Sequence, residues 1–250
     1  MLLYVLIAAG ALVLLIAGYE IRARLINRGV VRALVPHVLK MRVLAHRIVG
    51  YRPPRADEPI AADARPLFDA AQSEMSAAGL LVLGDLMEIH PNGTPFAPAR
   101  WFIDESRTIC GWFGVVRSRD TGVLNPVMML FSESASGEFF MTARGASSTA
   151  LAKPPTNHRQ FCGWGDGLMT IIGRHRAMLV SAAAMPVPQP TTLDAGPAIV
   201  RRLRDSTARW RASQPAGELL DEDVRNLLGK TYAVIGRQVI RSVTSLEAAT

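Results

Sequence analysis

Apolar positions along this chain follow three rhythms in turn. From Leu2 to Gly18 the run is unbroken, with no charge, no proline and only the Tyr4 hydroxyl as a polar side chain. As a helix this stretch reaches about 26 Å, and Tyr19, Glu20 and Ile21 carry it through the interface. Residues 1–21 therefore read as a single transmembrane helix, the form in which every backbone amide is satisfied within the segment. Over residues 22–56 the spacing becomes helical: Leu25, Val31, Leu34, Val38, Met41, Leu44 and Ile48 recur, with cations between them. This pattern predicts a basic amphipathic juxtamembrane helix, interrupted at Gly29 and Pro36 and ended by Arg52-Pro53-Pro54.

Residues 57–185 carry the third rhythm. A helix is predicted over 66–78, with Asp63 as cap, Leu67, Phe68, Ala71 and Met75 as its buried face, and Gly79 as its stop. "LLVLGDLMEI", "RWFIDE", "TICGWFGVVRS", "PVMMLFSE" and "GEFFMTAR" then alternate or run apolar between short turn-rich joints, which predicts five strands in an antiparallel meander. "KPPTNHRQ" reads as the end of the sheet, and "DGLMTIIGRHRAMLVSAAA" as a closing helix that packs Leu168, Ile171, Ile172, Met178 and Leu179 on it. The fold class is α+β: a two-layer domain with a β-meander flanked by helices. Residues 186–197 are proline-rich and read as a linker. Residues 198–243 form a helical tail, and 244–250 a disordered end. Within the tail, Ile199, Leu203 and Trp210 share one face and make a candidate partner surface.

Charge sharpens the first part of this picture. A net charge of +7 and a pI near 10.1 raise nucleic acid or an anionic membrane as partner. The distribution favours the membrane. Residues 1–56 hold nine Lys/Arg and one acid, whereas 57–190 hold ten against thirteen and 191–250 nine against seven. The excess thus sits beside the apolar run. Cations after the span, with none before it apart from the amino terminus, fit an uncleaved anchor rather than a signal peptide. The positive-inside rule places Arg22, Arg24, Arg28 and Arg32 in the cytoplasm. The expected location is a bacterial inner membrane, N-out, with the bulk of the chain cytoplasmic. Arg22, Arg24, Arg28, Arg32, Lys40, Arg42 and Arg47 are the expected contacts to anionic lipid headgroups. Nucleic acid is not an expected partner, because the arginine-bearing tail also carries seven acids and the chain is tethered.

Candidate chemistry changes the picture little. Cys110 and Cys162 form no CxxC pair and no disulfide framework. Cys162 lies in "RQFCGWGDGLMT", just before a helix start, where a thiol can become nucleophilic. A nucleophile needs a base. His175 falls in the following helix, His158 only four residues before, and His90 far back in the chain. Cys162 therefore reads as a structural residue packed beside Phe161 and Trp164. "GWGDG" has no P-loop lysine and reads as a turn with Asp166 capping the helix. Asp85 and Glu88 stand on opposite faces of a strand. No residues are assigned to catalysis, a cofactor or a metal. The expected role is a binding or scaffold component of a membrane-associated assembly, with a protein partner or a second copy of the chain. The alternative is a membrane-tethered hydrolase whose site forms only in three dimensions.

Overall fold

The computed structural model describes residues 29–36, 38–39, 50–89, 95–118, 121–144, 152–228 and 232–247. The expected transmembrane helix 1–21 lies outside the described residues, as do Arg22, Arg24, Arg28, Lys40, Arg42, Arg47 and His90. Among the described residues no helix is long and apolar enough to cross a membrane. Among the described residues the fold is α+β, with a seven-stranded mixed sheet and six helices. It divides into two compact units, one drawn from Ala45–Thr149 and Lys153–Gln214, the other from Met1–Leu44, Ala150–Ala152 and Pro215–Thr250.

The first unit is the sheet domain. Its strands are β1 (Gly50–Arg52), β2 (Leu80–Ile89), β3 (Pro95–Asp104), β4 (Cys110–Arg117), β5 (Leu124–Glu133), β6 (Phe139–Arg144) and β7 (Asn157–Cys162), adjacent in chain order. β1 to β6 are antiparallel neighbours, as a meander requires, but β7 joins parallel to β6 with Phe139 opposite Asn157. Two strands thus lie where none was expected: β1 at the end of the juxtamembrane segment, and β7, which begins inside the stretch read as a sheet breaker. β3 and β5 also begin earlier than predicted, each running through proline. The β3–β4 ladder starts only at Ala99 and the β5–β6 ladder only at Met128, so Pro98 and Pro126 each leave one side without a ladder bond to lose.

Helices cover both faces. α2 (Arg65–Ala77) and α3 (Leu168–Ser181) share one core, in which Phe68, Met75, Leu168, Ile171 and Ile172 meet Phe102, Phe113, Met128 and Leu130 of the sheet. α2 ends where Gly79 takes φ +72, a left-handed cap position that suits glycine. Its start carries no side-chain cap; Asp63 pairs instead with Arg117. On the opposite face α4 (Ala195–Ser213) lays Ile199, Val200 and Leu203 over Trp101, Cys110, Phe131 and Phe139. The domain has three layers rather than two. Segment 186–197, expected to be a free linker, leads from α3 into α4, which takes up its last three residues, and is bonded on the way: Val187 N donates to Glu133 O at 2.8 Å and Gln189 N to Arg107 O at 2.8 Å. α4 approaches so closely that a Cβ on Gly196 would stand 2.0 Å from the Trp101 ring. Only glycine fits there.

The second unit is helical. α1 (residues 29–36, resuming at 38–39), α5 (Ala216–Leu228) and α6 (Tyr232–Glu247) enclose Val31, Val35, Val38, Leu220, Val224, Ile235, Val239 and Val243. Asp223 is the buried acid here, and it accepts a 2.8 Å hydrogen bond from Ala152 N. The expected helical tail 198–243 is thus three helices, α4, α5 and α6. The stripe of the juxtamembrane segment, as far as it is described, faces them: Val31, Leu34 and Val38 pack within this unit.

Candidate functional site

The stretch that drew attention in the sequence, residues 159–170, forms the end of edge strand β7, a glycine-rich loop and the first turn of α3. Its geometry is set by Asp166. One carboxylate oxygen accepts Gly163 N at 2.7 Å and Arg174 Nη1 at 2.8 Å, while Arg144 Nη1 donates to the Asp166 carbonyl at 3.1 Å. Asp166 does not cap α3, whose N-cap is Gly167 with no side-chain bond. It ties the loop back on itself and to two arginines.

Cys162 is buried, at 8% exposure, in the core shared with α2 and α3. Phe161 and Trp164, expected to pack around it, instead stand exposed at 39% and 54%. Alternation explains Phe161, because it points to the other face of an edge strand. Trp164 lies on the loop between β7 and α3. The sequence also hid the thiol's other neighbour: the Cys162 sulfur, followed by the Asp166 carboxylate, holds the Arg174 guanidinium above the ordinary arginine range. Burial pulls Arg144 below it, partly offset by Glu74 and Asp166. A nucleophilic thiol needs a proton acceptor. His158 sits on the same strand face about 13 Å away at two residues per 6.6 Å, bonded to Glu138 and stacked on Phe140. His175 has both ring nitrogens occupied. Among the described residues neither histidine is placed to serve Cys162 as a base.

His175 belongs to the core. Its Nε2 lies 3.0 Å from Ser132 Oγ and its Nδ1 2.9 Å from Thr142 Oγ1, and all three side chains are buried. Ser132 donates to the Thr108 carbonyl at 2.6 Å, so Nε2 must carry the proton given to Ser132 and Nδ1 must accept from Thr142. Burial holds the imidazole down at about 4, against the opposing pull of Asp104. The Ser-His pair resembles a catalytic one only in composition. The serine proton is already committed to a backbone carbonyl, and water has no access. His175 shares the buried face of α3 with Ile171, Ile172 and Leu179, so its helical spacing was the available signal that it needed buried polar partners.

The remaining candidates resolve separately. Asp85 is held by Arg100 through two bonds of 2.8 and 3.0 Å, while desolvation and, after it, Glu88 raise the hydroxyl of the half-buried Tyr51 above its ordinary range. The two carboxylates do not converge. Cys110 is buried in the α4-side core, and desolvation pushes its thiol up to about 12. Among the described residues no group of three or more His, Cys, Asp or Glu is placed to hold a metal. Arg32 is exposed on α1. The proposed partner face on the tail requires a correction: Ile199 and Leu203 are buried against the sheet, and Trp210 is half-buried. Their apolar stripe is consumed by the chain's own Trp101 and Phe131. The chain matches no family model, and neither a curated protein nor a solved structure is significantly similar to it.

Proposed function

We propose that this chain is a single-pass inner-membrane protein, N-out, whose cytoplasmic α+β domain serves as a binding or scaffold component of a membrane-associated assembly. One observation carries the reading: the uncharged run Leu2–Gly18 is followed at once by Arg22, Arg24, Arg28 and Arg32, the arrangement that holds a C-terminal domain in the cytoplasm. Headgroup contact rests on these cations together with Lys40, Arg42 and Arg47. It does not rest on the apolar stripe, since Val31, Leu34 and Val38 are engaged by α5 and α6. The protein partner, or second copy, meets a surface other than Ile199 and Leu203. A C-terminal alkaline phosphatase fusion is expected to be inactive and a fluorescent-protein fusion bright. The reverse pair of results sinks the placement.

The Arg174 guanidinium beside Cys162 favours a second reading, a tethered enzyme that uses this thiol. Under the scaffold reading Cys162 reacts with a thiol reagent as slowly as Cys110 in the folded protein, and quickly after denaturation. Fast labelling confined to Cys162 would favour the enzyme.

A further inference from the structure

We propose that the helical unit lies on the cytoplasmic face of an anionic bilayer, with the Arg237 and Arg241 side of α6 against the headgroups. This rests on the membrane-tethered reading above and adds to it a contact made by the other end of the chain.

The tether limits how far the unit can stand from the bilayer. α1 begins at Gly29, and seven residues, 22–28, separate it from the end of the expected span at Ile21. However they are arranged, seven residues extend at most about 25 Å. α5 and α6 are packed on α1, with Leu220, Val224, Ile235 and Val239 closing over Val31, Val35 and Val38. The chain's last helix is therefore carried to the bilayer by its first.

Charge then orients the unit, because α5 and α6 present surfaces of opposite sign. On α5 Glu218 and Glu222 are exposed four residues apart, while Arg225 is already bonded to Asp221 at 2.7 Å. On α6 Arg237 and Arg241 are exposed four residues apart, and no acid falls between Tyr232 and Leu246. That spacing places each pair on one helix face, where like charges repel and gain from an opposite charge outside the helix. None of these four side chains makes an ion pair among the described residues. Since α5 and α6 share a core and yet these acids and arginines have not paired, the two charged faces are directed apart. Arg32, exposed on α1, adds a third cation to the unit. An anionic surface attracts the α6 face and repels the α5 face. An acidic protein could satisfy the same arginines, but the bilayer is the anionic surface that the short tether already sets beside them.

The test uses the full chain reconstituted in phosphatidylcholine vesicles, with or without phosphatidylglycerol, containing headgroup-spin-labelled phosphatidylcholine that quenches a nearby fluorophore. Gln238→Cys carries a bimane between the two arginines, and Asn226→Cys carries one on α5, four residues after Glu222. Cys110 and Cys162 are buried, and the parent chain treated with the same reagent gives the background. With phosphatidylglycerol, quenching at position 238 is expected to be several-fold stronger than at position 226. It should fall when phosphatidylglycerol is omitted and as salt is raised, because the attraction is screened. Arg237→Glu with Arg241→Glu, added to the 238 label, should abolish it; Arg237→Gln with Arg241→Gln, which removes the charges without adding acids, should lose most of it. Equal quenching at the two positions, quenching at neither, or quenching at 238 that survives the glutamine pair overturns the inference. Flotation of the same samples separates this from the tether: protein that floats with position 238 unquenched leaves the anchor standing and removes only the α6 contact, whereas protein that does not float removes both.

Discussion

In the sheet domain the largest fully buried side chains are Trp101, Phe68, Phe102 and Phe140, and polar ties join the layers around them. Arg100 reaches from β3 to Asp85 on β2 and to Gln72 on α2, His175 links α3 to β5 and β6, Asn157 bonds Thr207 of α4, and Arg202 of α4 clasps Glu133. The helical unit closes instead over small aliphatic side chains, mostly valines. Valine is a mediocre helix former because its branched Cβ loses rotamer freedom against the preceding turn. Helices built on it depend on packing rather than on their own propensity. The sheet domain takes its register from ladder bonds between strands that are adjacent in chain order. The helical unit needs segments from the two ends of the sequence to meet.

Removing everything after Gln214 should break this comparison most severely. Without α5 and α6 the apolar stripe of α1 loses its cover, so α1 is expected to lose helix and amide protection, while the amides of β2 to β6 stay protected. Hydrogen exchange reads both outcomes at once. Loss of protection throughout the sheet would mean that the two units do not stand apart energetically.

Trp101→Ala should strike only the sheet domain. It removes the ring against which Gly196 seats α4 and which Tyr51 meets edge-on at 5.3 Å. The expected cost is about 3–5 kcal/mol, typical of a large aromatic removed from a core that cannot collapse. It would be read as a lower urea midpoint followed by sheet-domain signals. A shift below about 1 kcal/mol would show that α4 is not anchored at this point.

A smaller effect should appear with pH. His175 is held neutral in the fold at about 4, against an ordinary value of 6.5. Between those values the unfolded chain binds a proton that the folded chain refuses. Sheet-domain stability therefore rises with pH across this window and is lost as pH falls from about 6.5 to about 4, by on the order of 3 kcal/mol. His175→Gln, which keeps hydrogen-bonding capacity without titrating here, should flatten that slope. An unchanged slope would assign the acid sensitivity to other groups.

How far these features were legible depended on where each element's information lies. β2 was readable to its ends, Leu80 and Ile89, because Gly79 precedes it and its apolar pattern is local. α2 and α3 were readable from helical spacing and adjacent glycines. β7 was not, since "NHRQFC" at a sheet edge has an unremarkable local pattern: Asn157 is buried but spends its amide on Thr207, and Phe161 is apolar but exposed. Of the candidate site, the stretch around Cys162 and the glycine-rich turn stood out in the sequence. Arg144 and Arg174, which shape it, did not, because they come from β6 and from a later turn of α3.

The sequence by itself determined the uncharged run with cations after it, the strand-rich middle, and which face of each amphipathic helix is apolar. These follow from residue identity and period within a short window. Only the tertiary structure decided what covers each face: that α4 completes a third layer on Trp101 instead of presenting Ile199 and Leu203 to a partner, and that α1 is covered by α5 and α6. Period reports that a stripe must be buried. The covering surface is set by shape and volume, as where Gly196 admits the Trp101 ring, and those complementary surfaces are contributed by residues far apart in the chain.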